Sequence, residues 1–95
     1  MENNIPKKIR IEILKETISY LKYTNFFVCH IIANKCSIRG IIIDYTDVME
    51  AFPELWKERP KGLKDKTVSW YALNRSCSDK RIRAIRRAIK TLEKK

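Results

Sequence analysis

The apolar residues between positions 82 and 92 recur at intervals of three and four, which is the spacing of an amphipathic helix. Four residues follow this rule: Ile82, Ile85, Ile89 and Leu92. With about 100° per residue they fall within an arc of about 80°. Ser76 and Asp79 have the spacing of a capping box, and Ser78 is an alternative cap. We therefore predict a C-terminal helix over about residues 78–95 whose narrow apolar face packs against other helices.

The same helix has a second face made almost entirely of cations. Its members are Lys80, Arg83, Arg86, Arg87, Lys90 and Lys94. A face that is merely solvated usually mixes charge signs, because like charges four residues apart repel each other by some tenths of a kcal/mol. We interpret this face as an anion-binding surface, with RNA or DNA phosphate as the leading anion. The alternative is a solvated face whose lysine and arginine stems cover apolar surface.

Charge is distributed unevenly along the chain. Residues 1–58 contain eight basic and eight acidic residues, so the whole formal charge of +10 lies in residues 59–95. Residues 59–66 form a predicted basic loop, and aromatic residues separate it from the C-terminal helix. Aromatic rings can stack on unpaired bases while cations follow the backbone. The predicted nucleic-acid-binding residues therefore also include Lys61, Lys64, Lys66, Tyr71 and Arg75. Trp56 and Trp70 fit either the core or the surface.

The remaining residues predict a mainly α domain, a small bundle of three to four helices covering residues 1–95. A first helix follows Pro6, with an apolar stripe of Ile11, Leu14, Ile18 and Leu21, and Asn25 is a candidate for its end. Residues 26–36 are apolar on nearly every side, and we favour a helix there and an extended or irregular segment afterwards. A short two-stranded β ribbon from residues 26–32 and 38–43 remains the alternative.

A third helical segment is predicted after Asp44 or Thr46, either of which can cap it. Its apolar stripe contains Val48, Phe52 and Leu55, and Pro53 predicts a turn or kink at Phe52 before a short helical piece through Glu58. Its acidic residues also have helical spacing and are a candidate protein interface. They are Asp47, Glu50, Glu54 and Glu58.

Nothing in the sequence predicts catalysis, a metal or a cofactor. Cys29, His30, Cys36 and Cys77 are the residues closest to a zinc set, but they lack the tight ligand pairs of structural zinc sites. We interpret the cysteines as reduced, mostly buried residues and His30 as a core or half-buried residue. The chain has no apolar run of about 20 residues and no signal sequence, so we expect a cytoplasmic protein.

Residues 52–62, together with Trp70, Tyr71 and the closing helix rich in arginine and isoleucine, resemble short prophage proteins of gut and avian bacteria. In general character the chain is similar to anti-CRISPR inhibitors of type VI-B RNA-guided ribonucleases. The resemblance covers about the C-terminal half and transfers no functional residue. It implies a stoichiometric, non-enzymatic inhibitor in the cytoplasm of a bacterial host cell, whose partner is the nuclease, its guide RNA, or both.

Two other functions remain open. One is a DNA-binding transcriptional regulator whose last helix enters the major groove, for which Asn74 and Arg75 are the only candidate base-reading residues. The other is a protein–protein interaction module that uses the acidic residues of the third segment.

Overall fold

The computed structural model of the protein describes residues 5–65 and 75–94. For residues 75–78 it describes the backbone but not the side chains. This part of the chain forms five α-helices and one 3₁₀ turn and contains no strand. The helices are α1 (Lys7–Leu21), α2 (Val28–Ile38), α3 (Val48–Ala51), α4 (Pro53–Trp56) and α5 (Arg75–Lys94), with the 3₁₀ turn at Tyr45–Asp47. The mainly α class is confirmed. The helix count exceeds the predicted three to four because the third predicted segment is divided into two single turns.

Residues 26–43 form a helix followed by an irregular segment rather than a β ribbon. Five residues are buried on one side of α2: Val28, Cys29, Ile31, Ile32 and Cys36. A helix places residues at these spacings on one side, whereas a strand would divide them between two faces. Gly40 ends the helix with a φ of +80°. Its N–H donates to the carbonyl of Ser37, and the N–H of Ile41 donates to that of Cys36, which is the hydrogen-bond pattern of a Schellman motif.

The helix boundaries follow local chemistry. Pro6 stands immediately before α1, whose end at Leu21 comes earlier than the Asn25 predicted. Asp44 is the cap of the 3₁₀ turn, because its carboxylate accepts a hydrogen bond from the N–H of Thr46 at 3.3 Å. Phe52 lies between α3 and α4, and Pro53 begins α4, as the proline predicts. The turn through residues 57–58 is not helical, so α4 ends at Trp56 rather than Glu58.

Helix α5 packs on α1 and α4, and α1 also packs on α2. It begins at Arg75, so Ser76 and Ser78 lie within its first turns and neither is a cap. Its buried residues are Arg81, Ala84, Ile85, Ala88, Ile89 and Leu92. These span about 140° of the helix, against about 80° predicted, and Ile82 is only half-buried at their edge. The alanines widen the buried face because their small side chains allow close helix contact.

Phe52 is fully buried where the third segment meets the core. Nearby core side chains that are also fully buried include Met49 and Leu55. No helix in the described part of the chain is long and apolar enough to cross a membrane.

We expect Phe52→Ala to lower the free energy of unfolding by about 3–5 kcal/mol, because it removes buried apolar surface and leaves a cavity. Urea denaturation followed by circular dichroism measures this change. Tyr23→Ala is the matched control, since Tyr23 is 89% exposed and its loss should change stability by no more than about 0.5 kcal/mol. Equal effects of the two substitutions would contradict the placement of Phe52.

Candidate nucleic-acid interface

Five cations on α5 are exposed and make no ion pair within the described residues. They are Lys80, Arg83, Arg86, Lys90 and Lys94, which we call the cationic face. Together they span about 120° of the helix, and their centre lies almost opposite the centre of the buried face. The sequence predicted that these residues lie beside the apolar face. In the structure they lie opposite the buried face, because Ala84 and Ala88 widen that face on the side away from Arg86.

Arg87 was predicted to belong to the same surface but has a partner. Its Nε donates to Oε1 of Glu58 at 2.6 Å, which links the turn after α4 to α5. The side chain remains 56% exposed, whereas that of Glu58 is 24% exposed. Arg87 therefore carries a charge that Glu58 partly compensates, unlike its neighbours on the cationic face.

The predicted acidic interface is not a continuous surface. Glu54 is buried, with 3% of its side chain exposed, and its Oε2 accepts a hydrogen bond from Nη2 of Arg10 at 3.2 Å. Glu54 is therefore not at the surface, where the predicted acidic interface requires it, because a buried carboxylate needs an internal partner. Glu58 is engaged by Arg87. Of the four, only Glu50 is classed as exposed, and Asp47 is half-buried in the 3₁₀ turn.

Other glutamates are also used inside the fold. The Arg39 guanidinium contacts Glu16 at 2.5 Å and Glu12 at 3.7 Å, which ties α1 to the end of α2. The hydrogen bond from Arg39 lowers the pKa of Glu16. Glu93, the acidic residue on α5 next to the C-terminal cations, pairs with Lys15 at 3.6 Å. Asp79, which is exposed near the start of α5, and Glu93 are the only carboxylates in the described part of this helix.

The basic loop begins beside α5, because Glu58 contacts Arg87 immediately before it. Lys61 and Lys64 are exposed there, as predicted. Arg59, also in the predicted basic loop, makes contacts that were not predicted: its guanidinium lies 4.5 Å from the ring centroid of Trp56 and donates to the carbonyls of Trp56 and Leu63. The spacing of three residues between Trp56 and Arg59 was the sequence feature that could have predicted this cation–π contact. Trp56 is half-buried against the core. Lys66, Tyr71, Trp70, Asn74 and the side chain of Arg75 lie outside the described residues.

Arg81 is fully buried, although its neighbours along α5 include several exposed cations. Its Nη1 donates to the carbonyl of Phe26 and so joins α5 to the segment before α2. Arg81 lies about 200° around the helix from Arg83, which places it on the buried side. Arg81 was not among the predicted nucleic-acid-binding residues, and its partner on the segment before α2 was not predicted.

A groove between α1 and α2 was not predicted. It has a volume of about 360 Å³ and is lined by Tyr20, Phe26, His30, Ile31, Asn34 and Lys35, which we call the aromatic groove. His30 is half-buried, as predicted, and its ring stacks on that of Tyr45 with centroids 4.2 Å apart. The ammonium of Lys35 lies 5.7 Å from the centroid of the Tyr20 ring.

Cys29 and Cys36 are buried thiols, as the sequence predicted. Burial raises the pKa of Cys36 to about 11, so its reactive thiolate form is disfavoured near neutral pH. No group of three possible metal ligands occurs among the residues that the structure describes. The side chain of Cys77 lies outside that part.

Comparison with protein-family models, curated proteins and solved structures found no match to this chain. Functional inference therefore depends on the geometry of its own residues.

We expect Glu54→Ala to lower the free energy of unfolding by about 2–3 kcal/mol, because it removes the carboxylate partner of Arg10. The loss should be smaller than for a fully buried pair, since the Arg10 side chain is 18% exposed. Thermal or urea unfolding measures it. Glu50→Ala removes an exposed carboxylate from the neighbouring turn and should change stability by less than about 0.5 kcal/mol. Similar values for both variants would show that Glu54 is not an internal partner.

Proposed function

We propose that this protein is a non-enzymatic RNA-binding protein that uses the cationic face of α5 to bind RNA phosphates within an RNA–protein assembly. The observation that carries the proposal is the set of five exposed cations that have no ion-pair partner in the described structure. Their mutual repulsion opposes the isolated fold, and a polyanion relieves it.

The dimensions of the face suit a nucleic-acid backbone. From Lys80 to Lys94 the helix rises by about 21 Å at about 1.5 Å per residue, which is long enough to meet several successive phosphates. Arg83 and Arg86 can donate two hydrogen bonds to one phosphate, whereas the lysines act as point charges. The pair between Arg87 and Glu58 brings the start of the basic loop to α5, and we include the exposed Lys61 and Lys64 of this loop in the proposed surface. Lys66, Tyr71 and Arg75 are part of the proposal on sequence grounds alone.

The finer proposal is that the assembly is a type VI-B RNA-guided ribonuclease in the cytoplasm of a bacterial host. Its support is the sequence resemblance to anti-CRISPR inhibitors. The guide RNA is the polyanion that a cationic protein can contact there, so we propose inhibition by contact with guide RNA, alone or at its junction with the nuclease.

The protein-interaction module is less well supported, because Glu54 is buried and Glu58 already has a cationic partner. For the DNA-binding regulator, the candidate base-reading side chains Asn74 and Arg75 lie outside the described residues.

We expect the triple variant Arg83→Gln, Arg86→Gln and Lys90→Gln to bind a single-stranded RNA at least about tenfold more weakly at low salt. Five phosphate contacts give the native protein a slope of log K against log salt of about −3.5, and the variant should lose about 2 from its magnitude. Fluorescence anisotropy over a salt series measures both quantities.

The matched control replaces Lys7, Lys8 and Lys22 with Gln. It removes the same net charge from exposed positions on α1 and just after it. A loss of affinity that is equal in the two triple variants would show a general charge effect and would overturn the assignment to α5. Arg87→Gln should weaken binding less than Arg86→Gln, because Glu58 already engages Arg87.

Inhibition is tested by cleavage of a reporter RNA by a reconstituted type VI-B ribonuclease with its guide. We expect the native protein to stop cleavage at about one equivalent, and the α5 triple variant to require a large excess. RNA binding without inhibition would overturn the inhibitor proposal and leave the RNA-binding proposal standing.

A further inference from the structure

The aromatic groove has the composition of a site for a planar ligand. Two of its rings, Tyr20 and Phe26, are on the protein surface, with 45% and 44% of their area exposed. His30 is half-buried. Its ring stacks on that of Tyr45 with centroids 4.2 Å apart, and it meets the ring of Phe26 edge-on with centroids 5.8 Å apart. The rings of Phe26 and His30 thus support each other, and rings that are ordered before binding lower the entropy cost of stacking.

The polar groups of the groove narrow the class of ligand. The Asn34 amide is exposed and makes no hydrogen bond within the described structure, so it can offer both a donor and an acceptor to one edge of a ring. The Lys35 ammonium lies next to Tyr20 and supplies a positive charge beside the stacking surface. A ring with hydrogen-bonding edges and an attached phosphate satisfies all of these groups, whereas an apolar peptide side chain would leave both the amide and the ammonium unused.

The groove is connected to α5 through one buried contact. Arg81 donates from α5 to the carbonyl of Phe26, so the backbone that carries one of the two exposed rings rests on the helix that carries the cationic face. Lys80 precedes Arg81 and is exposed. The cationic face thus begins one residue before the residue of α5 that contacts the backbone of the groove.

From these contacts we infer that the aromatic groove binds one unpaired nucleobase, stacked on Tyr20 and Phe26, with Asn34 at its hydrogen-bonding edge and Lys35 at its phosphate. The inference rests on the proposed function in one respect: the base belongs to the RNA whose phosphates contact α5. It makes the protein selective for unpaired RNA, because a base within a duplex cannot enter the groove.

The test compares a short oligoadenylate with an oligomer of the same length in which the bases are replaced by abasic sites. Both ligands present the same phosphates, so the difference in affinity reports base contacts alone. We expect the native protein to prefer the oligoadenylate by about tenfold, which is within the range for stacking of a single base. Tyr20→Ala and Phe26→Ala should each remove most of this preference. The Phe26 variant keeps the backbone carbonyl that Arg81 contacts.

Tyr23→Ala is the matched control, because it removes the same ring from a position that is 89% exposed and lies outside the groove. It should keep the native preference. If Tyr20→Ala and Phe26→Ala also keep that preference, the inference is wrong. The α5 triple variant should lose affinity for both oligomers while retaining the ratio between them.

Amide chemical shifts of ¹⁵N-labelled protein separate the two proposals. Titration with the oligoadenylate, and separately with adenosine monophosphate, should move the signals of His30 and Asn34. Shifts confined to α5 would overturn the inference and leave the proposed function intact. Groove shifts together with native affinity in the α5 triple variant would overturn the proposed function instead. An absence of groove shifts with both ligands rejects the inference regardless of what occurs at α5.

Discussion

The burial of one side of α5 against α1 and α4 determines the character of the rest of the molecule. Once Ile85 and Leu92 occupy the core, the helix has a fixed rotation, and its opposite side must face solvent. Ala84 and Ala88 also favour this rotation, since their small side chains let the flank of the helix be buried as well. The cations at positions 80, 83, 86, 90 and 94 are then gathered on the exposed side by the periodicity of the helix alone. The same packing that stabilises the domain therefore concentrates its positive charge.

Ion pairing elsewhere in the fold reinforces this concentration. The glutamates of α1 and α4 are used by arginines from distant parts of the chain: Glu16 by Arg39, and Glu54 by Arg10. Each of these pairs joins two segments, so the carboxylates serve the tertiary structure and are not available to shield α5. The exception is Glu58, whose contact with Arg87 lies at the edge of the cationic face and also brings the basic loop toward it. Within the first 58 residues, Glu12, Glu16 and Glu54 pair with arginines of the same part of the chain, whereas most of the described cations of α5 stay at the surface.

Local sequence patterns predicted the helices well because helix formation depends on near neighbours. The period of the isoleucines located α5, Asp44 located the cap of the 3₁₀ turn, and Pro53 located the break after Phe52. Sequence could not predict that Glu54 and Arg81 are buried in internal contacts, since their partners are 44 and 55 residues away in the chain. The aromatic groove was missed for the same reason. Tyr20 belongs to α1 and Asn34 to α2, and only the packing of the two helices places them around one cavity.

Arg81 shows why a count of cations overestimates a binding surface. Seven basic residues lie between positions 80 and 94. A count of sequence charge treats them alike, but Arg81 is fully buried on the carbonyl of Phe26 and Arg87 is paired with Glu58. Burial of a guanidinium is costly unless its N–H groups are hydrogen-bonded, so Arg81 holds α5 and the Phe26 segment together and takes no part in phosphate contact. The five that remain have no ion-pair partner among the residues that the structure describes. Only these five present charge that the described fold leaves uncompensated.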